Sequence, residues 1–287
     1  MEGVLKPFHW NSRGLQRISK RLATLKPPVI MVTLNESTRV LKLSRDDHEP
    51  DVLSIMHAVV PKHTVRIQGM LKNIMILEYL PPFIHNGVRM PTLDSLLDNV
   101  KSCERIVADV IFQVASILSS LRERHPNFCH NDLKADNIML TPNTEELSPG
   151  YCPPVRVVFI DVETVTADDI AFKPDADEGI LEDFGLGANM PECEWSDFHL
   201  VMLEIWVRVR NSRPSWGPEF LKFMLSIVPY ELMKTYQDGS PHVSRMNRLT
   251  REGRRACNSQ CAPLREVIQS EYLLTRIHGC SSPSQVV

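Results

Sequence analysis

The sequence predicts an α+β fold, with short strands gathered in the first 80 residues and helices dominating the remainder. Three observations carry this reading. Runs of β-branched and aliphatic residues recur between Val29 and Tyr79, separated by turn-forming residues. From Ser102 to Arg124 the apolar residues fall instead three and four apart, the period of a helix with one buried face. After that stretch comes a polar loop, Phe128-Cys129-His130-Asn131-Asp132-Leu133-Lys134-Ala135-Asp136-Asn137, followed by a short apolar run from Ile138 to Leu140.

At 287 residues the chain has room for one large two-lobed domain or two ordinary ones. A hydrophobic content of 43% and a charged content of 23% are those of a soluble globular protein with ample material for a core. The formal net charge of −3 gives no reason to expect nucleic-acid binding. Seven cysteines form no pair of C-x-x-C clusters, which argues against zinc; their odd number, with no signal peptide, favours reduced thiols in an intracellular protein. No apolar run approaches the ~20 residues of a membrane span.

Taken in order, residues 1–27 are basic and place Leu15, Ile18, Leu22 and Leu25 at helical spacing, as in a short amphipathic helix packed on the domain. Val29 to Leu34 and Thr38 to Leu43 read as a hairpin, with Lys42 inside its second strand. Glu49 opens a helical run from Pro50 to Val60, where proline suits the first turn. His63 to Gly69 and Asn73 to Tyr79 read as two further strands, the second leaving into the extended segment Leu80-Pro81-Pro82. Pro91 to Val100 is a short helix. In the long helix that follows, Ile106, Val107, Val110, Ile111, Val114, Ile117, Leu118 and Leu121 form a broad buried face. Thr141 to Pro154, rich in proline and glutamate, reads as an exposed, mobile hairpin insertion. Val155 to Asp161 is a buried strand ending in an acid. Asp197 is the expected N-cap of the apolar helix Phe198 to Val209. Beyond Arg213 helical segments are broken by prolines, and Pro263 to Leu273 is the last helix expected.

The polar residues have a combined chemical meaning. Asp132 can accept a hydroxyl proton or orient the hydroxyl as it attacks a phosphoryl group. Lys134, two residues on, can offset charge on the same phosphoryl oxygens. Asn137 offers a neutral oxygen, and Asp161 a carboxylate, to a hard cation. The plainer alternatives are that the loop residues only build a turn and that Asp161 only caps a strand.

The pattern His130-x-Asp132-Leu133-Lys134-x-x-Asn137, with Asp161 and Asp197 downstream, resembles the protein kinase superfamily over roughly residues 28–275. It looks like a diverged serine/threonine protein kinase, with a compact small lobe of the kind familiar in large DNA viruses. The resemblance implies a bilobal fold, with a five-stranded small lobe within residues 1–80 and a mainly helical large lobe over 81–287. It implies ATP in the cleft, Mg²⁺ (or Mn²⁺), and transfer of the γ-phosphate to a protein hydroxyl. Asp132 and Lys134 are then catalytic, and Asn137 and Asp161 are metal ligands. Lys42 is the ATP lysine, oriented by Glu49 with Asp51 as the rival, and backbone groups from Glu78 to Leu80 bond adenine. A cytoplasmic or nuclear location is implied, in a host cell or virion if the chain is viral.

Several departures qualify the resemblance. No glycine occurs from residue 15 to residue 68, so the phosphate-covering glycine-rich loop has no counterpart. Asn131 replaces the arginine that receives a phosphorylated activation loop, which argues against that switch. Asp161-Val162-Glu163 takes the place of Asp-Phe-Gly; the triplet Asp183-Phe184-Gly185 follows a run too short and acidic for the strand required. Acidic residues from Asp168 to Asp183 would steer a basic protein substrate, or are a solvated face. Choline, ethanolamine and aminoglycoside kinases share parts of the pattern, but Lys134 leans toward the protein kinases. A pseudokinase that binds without chemistry is the third reading, favoured by the missing glycines and opposed by the retained polar set.

Overall fold

The computed structural model describes residues 29–34, 37–44, 48–99, 104–167, 170, 193–212, 216–228, 230 and 261–278, without the side chains at 34, 193–196, 200, 211–212 and 277–278. The expectations for residues 1–27, for the acidic stretch with Asp183-Phe184-Gly185, and for the chain from 231 to 260 lie outside these residues. The described chain is α+β and divides into two compact units, one of residues 29–51 with 66–79 and one of 52–65 with the chain from 80 onward.

The first unit is built on an antiparallel sheet of four described strands, β1 (Val29–Leu34), β2 (Ser37–Leu43), β3 (Ile67–Leu71) and β4 (Ile74–Glu78), in the order β1-β2-β4-β3. The resemblance implied five. The strand expected to start at His63 begins only at Ile67, because Pro61–His63 forms a 3-10 turn instead. Strands β2 and β4 pair Leu41 with Ile76, Lys42 with Met75 and Leu43 with Ile74. Alternation then sends Leu41 and Leu43 to one face and Lys42 to the other. Leu41 and Ile74 form the core of the first face. Met75 is buried on the second, so the strands are covered on both sides and read as continuous apolar runs. Helix α1 (His48–Val59) begins in this unit and continues into the second.

From residue 80 onward the second unit begins with a hairpin absent from the sequence reading, β5 (Phe83–His85) and β6 (Val88–Met90). Its two-residue turn, Asn86-Gly87, holds φ of 51° and 76°. Two positive φ values in succession are the geometry that Asn-Gly favours between strands, so the signal was in the letters. Helix α2 (Leu93–Asp98) starts from a reciprocal cap, in which Thr92 and Ser95 bond each other's backbone N–H. Helix α3 (Glu104–Arg124) buries all eight of the apolar residues assigned to its face. It packs against the antiparallel ribbon of β7 (Ile138–Pro142) and β8 (Val155–Phe159).

Gln113 explains how α3 holds that ribbon. Its amide donates to the Val155 carbonyl at 2.9 Å and accepts from the Val157 N–H at 2.9 Å, so both polar ends are satisfied in a buried position. The β7–β8 loop is not wholly exposed as expected. Tyr151 is buried, stacks edge-on against Phe112, and donates its hydroxyl to Asp109 at 3.2 Å. An aromatic ring placed over apolar α3 residues outweighs the loop-like composition around it.

Helix α4 (Cys193–Ser212) starts well before Phe198, which places Asp197 inside the helix rather than at its N-cap. Helix α5 (Pro218–Ile227) follows. The single last helix expected is two, α6 (Leu264–Ile268) and α7 (Glu271–His278), separated at Gln269-Ser270. Glu104 ties this end of the chain to the start of α3, accepting from the Tyr272 hydroxyl, the Arg276 guanidinium and the Gly217 N–H. Among the described residues no helix is long and apolar enough to cross a membrane. Cys152 is a free thiol, while Cys129 is disulfide-bonded, against the expectation of reduced cysteines throughout.

Candidate active site

The loop from Cys129 to Asn137 is a backbone excursion clamped at both ends against the segment that follows β8. At one end Cys129 and Thr166 exchange two backbone hydrogen bonds of 2.9 and 2.8 Å. At the other, the β7–β8 ladder pairs Ile138 with Phe159 and continues through Ile160 N–H to the Asn137 carbonyl at 3.0 Å. Asp132 therefore lies on one arc and Asp161 on the neighbouring arc. Between the clamps, Thr164 donates its hydroxyl to the His130 carbonyl at 2.9 Å, and the Asn131 amide donates to the Thr164 carbonyl at 2.7 Å.

Helix α4 braces the loop from beneath. Asp197, fully buried, accepts the backbone N–H groups of His130 at 2.7 Å and Asn131 at 3.0 Å, with the Arg122 guanidinium 3.8 Å away. Two turns further along, the buried Glu204 accepts the Ala135 N–H. Asp197 thus braces the loop from within α4 instead of capping that helix. Glu204 was missed. Its signal was a carboxylate seven residues after Asp197, hence on the same helix face, among residues that are apolar apart from His199. Burial pushes the Glu204 carboxyl up to about 7; the Ala135 N–H opposes this, while Asp136 and Asp94 add to it.

Within the braced loop the Asp132 carboxylate collects two donors on one oxygen. Oδ2 accepts from Lys134 Nζ at 2.8 Å and from the Asn137 amide at 3.0 Å. The same amide donates to the Asp132 carbonyl at 2.7 Å, which turns the Asn137 amide oxygen to the other side. Burial works against the Lys134 ammonium, but the hydrogen bond and charge of Asp132, with Asp161 and Asp136, raise its pKa above the usual lysine value. Asp132 and Asp161 both act on this ammonium, so the two carboxylates share one electrostatic neighbourhood. They also both act on His130, which is buried under the loop with its ring edge-on to Phe159 at 5.9 Å. Burial holds its pKa below the ordinary histidine value against the pull of Asp197, Asp132 and Asp161.

The donor set suits a hard divalent cation held partly by its own waters and by phosphate oxygens. Asn137 presents an amide oxygen and Asp161 an exposed carboxylate, an oxygen-only pair with a single negative charge. Among the described residues there is no group of three or more histidine, cysteine or acidic side chains of the kind that forms an all-protein metal cage.

The residues that the resemblance assigned to the nucleotide lie mainly in the first unit. Lys42 is buried rather than solvated, and its Nζ meets Glu49 Oε1 at 2.6 Å. Asp51, the rival partner, is exposed. Glu78 donates its backbone N–H to the Arg66 carbonyl at 3.0 Å and accepts the Arg66 N–H on its carboxylate at 2.8 Å, so its own N–H is already used. Leu80, in the second unit, is buried. Protein-family models and curated protein sequences give no match to this chain.

Proposed function

We propose that the chain is an ATP-dependent phosphotransferase of protein kinase-like fold, acting as a serine/threonine protein kinase. The observation that carries this reading is the Asp132 carboxylate, oriented by Lys134 and Asn137 on a loop whose backbone is held by Asp197 and Glu204. Such a carboxylate has one oxygen committed to the loop and the other to give to an acceptor hydroxyl. Asp132 would orient that hydroxyl and take its proton as the bond to phosphorus forms. Lys134, kept cationic by its acidic neighbours, would offset the charge on the transferring phosphoryl oxygens. Asn137 and Asp161 would hold Mg²⁺ or Mn²⁺, which when bound neutralises phosphate charge and aligns the terminal phosphate. Lys42, kept in place by Glu49, would contact the other phosphates of ATP.

The buried Lys42–Glu49 pair bears on the pseudokinase alternative. Burying both charges costs desolvation energy, and a hydrophobic pair of similar volume would serve a purely structural purpose as well. Its presence in the same chain as the Asp132 set favours chemistry. The deciding experiment is incubation with Mg²⁺, γ-labelled ATP and a basic protein, beside Asp132→Ala. Labelling in the native chain that vanishes in the variant supports the proposal. Equal labelling in both removes Asp132 from the mechanism. Labelling of choline or an aminoglycoside in place of protein reassigns the acceptor to a small molecule.

A further inference from the structure

Away from the candidate active site, a cavity of about 520 Å³ opens in the second unit. Its walls are the Pro61–His63 turn with the preceding end of α1, the middle of α3, and the β7–β8 loop. That volume falls in the range of small-molecule sites. Its polar groups divide sharply into those already used and those that are not. Gln113 spends both ends on β8, and the Tyr151 hydroxyl is given to Asp109. Lys62, on the wall, donates to the Glu146 carbonyl and sits 3.7 Å from Glu145, so its donors already have partners.

His63 differs. Its Nδ1 lies 2.8 Å from the Val157 carbonyl, which can only accept, so Nδ1 carries the proton there. Burial lowers the pKa of this ring; the Val157 bond opposes that, and the charges of Arg156 and Lys62 add to it. The neutral ring therefore keeps a lone pair on Nε2, and His63 is among the residues that line the cavity. Ser116 and Ser120, one helical turn apart on α3, add hydroxyls, while Phe112 and Ile117 supply flat and aliphatic surface. The wall thus offers a hydrogen-bond acceptor, hydroxyls and an aromatic face, with the Lys62 ammonium already engaged by Glu145 and Glu146.

We propose that this cavity is a binding site for a small, uncharged, flat heteroaromatic molecule that donates an N–H to His63 Nε2 while its ring lies against Phe112 and Ile117. The proposal does not depend on phosphoryl transfer, since none of these side chains belongs to the Asp132 site.

The probe is indole, which has the required N–H, compared with benzofuran, which has the same shape and no donor. Methyl-detected NMR titrations of the full chain would follow the methyl groups of Val60 and Ile117. Saturable shifts there with indole are expected, with benzofuran weaker by about two- to tenfold, the span of one neutral hydrogen bond. Ser116→Phe, or Ser148→Trp if the first variant melts early, should fill the space and abolish the shifts. Absence of saturable shifts with indole overturns the proposal. So does equal binding of benzofuran, or binding that survives in a folded cavity-filling variant.

Discussion

Two side chains of the candidate site hold left-handed backbone without being glycine: Asn131 at φ 65° and Asp161 at φ 59°. Left-handed conformations of ordinary residues cost energy and gather where the surroundings over-determine them, often at functional sites. For Asn131 the surroundings are its N–H on Asp197 and its amide on Thr164. For Asp161 they follow from the clamp between Asn137 and Ile160. This guides the choice of variant. Asparagine tolerates the left-handed region at least as well as aspartate, so Asp161→Asn removes the charge and leaves the backbone alone. We expect an unchanged melting temperature together with loss of Mg²⁺-dependent ATP binding, read by calorimetric titration. Retention of that binding would place the metal elsewhere. The Lys42–Glu49 pair predicts a different outcome. With side chains only 8% and 5% exposed, removing Glu49 strips the buried Lys42 ammonium of its 2.6 Å carboxylate contact. Glu49→Leu should destabilise the fold by about 3–5 kcal/mol in urea denaturation, whereas a loss below 1 kcal/mol would mean that the charges are solvated in solution.

At the scale of elements, α3 and α4 do the positioning through a few polar groups on otherwise apolar faces. Gln113 serves two backbone partners on β8, and leucine is of similar size but can serve neither. Gln113→Leu should cost about 1–3 kcal/mol for each backbone group left unsatisfied, and hydrogen exchange at Val157 should accelerate. Unchanged protection there would show that water takes over the role of the amide. On α4, Asp197 and Glu204 hold the loop backbone at His130, Asn131 and Ala135, on both sides of Asp132. Glu204→Ala should therefore lower kcat of the proposed transfer more than it raises KM, because it loosens the presentation of Asp132 and Lys134. Glu204→Gln, which keeps an acceptor, should restore most of that rate. Equal activity in all three proteins would reduce Glu204 to a packing residue.

At the scale of the whole molecule these buried acids shape stability against pH. Glu204 titrates near 7 and Asp109 near 6 in the folded chain, raised from 4.5 and 3.8, burial being the largest cause for each. Between the unfolded and folded values the native chain binds protons that the unfolded chain has released. Their contribution to stability therefore falls as pH rises through that window and is constant above it. The lowered pKa values of His63 and His130 act with the opposite sign below their unfolded values, so the difference between two proteins is the cleaner measure. Relative to the native chain, Glu204→Gln should gain stability from pH 5 to pH 8, by on the order of 3 kcal/mol. A flat difference would mean that Glu204 titrates normally.

What could be read in the letters was whatever depends on local spacing. The strands from Val29 to Glu78, the buried face of α3 and the offsets among Asp132, Lys134 and Asn137 are set by periods of two and 3.6 residues and by a short loop. The Asn86-Gly87 hairpin was equally local, and was hidden only by reading the neighbouring prolines as the start of an extended link. Contacts between distant segments needed coordinates. Glu49 was already the preferred partner in the sequence, but its contact with Lys42 at 2.6 Å is visible only in the coordinates. Glu204 became visible when α4 was laid under the loop, and Tyr151 left the loop for the core because an aromatic ring gains more from burial than its polar neighbours lose. Sequence spacing decides which side chains share a face; only packing decides which faces meet, and the candidate site is made where they do.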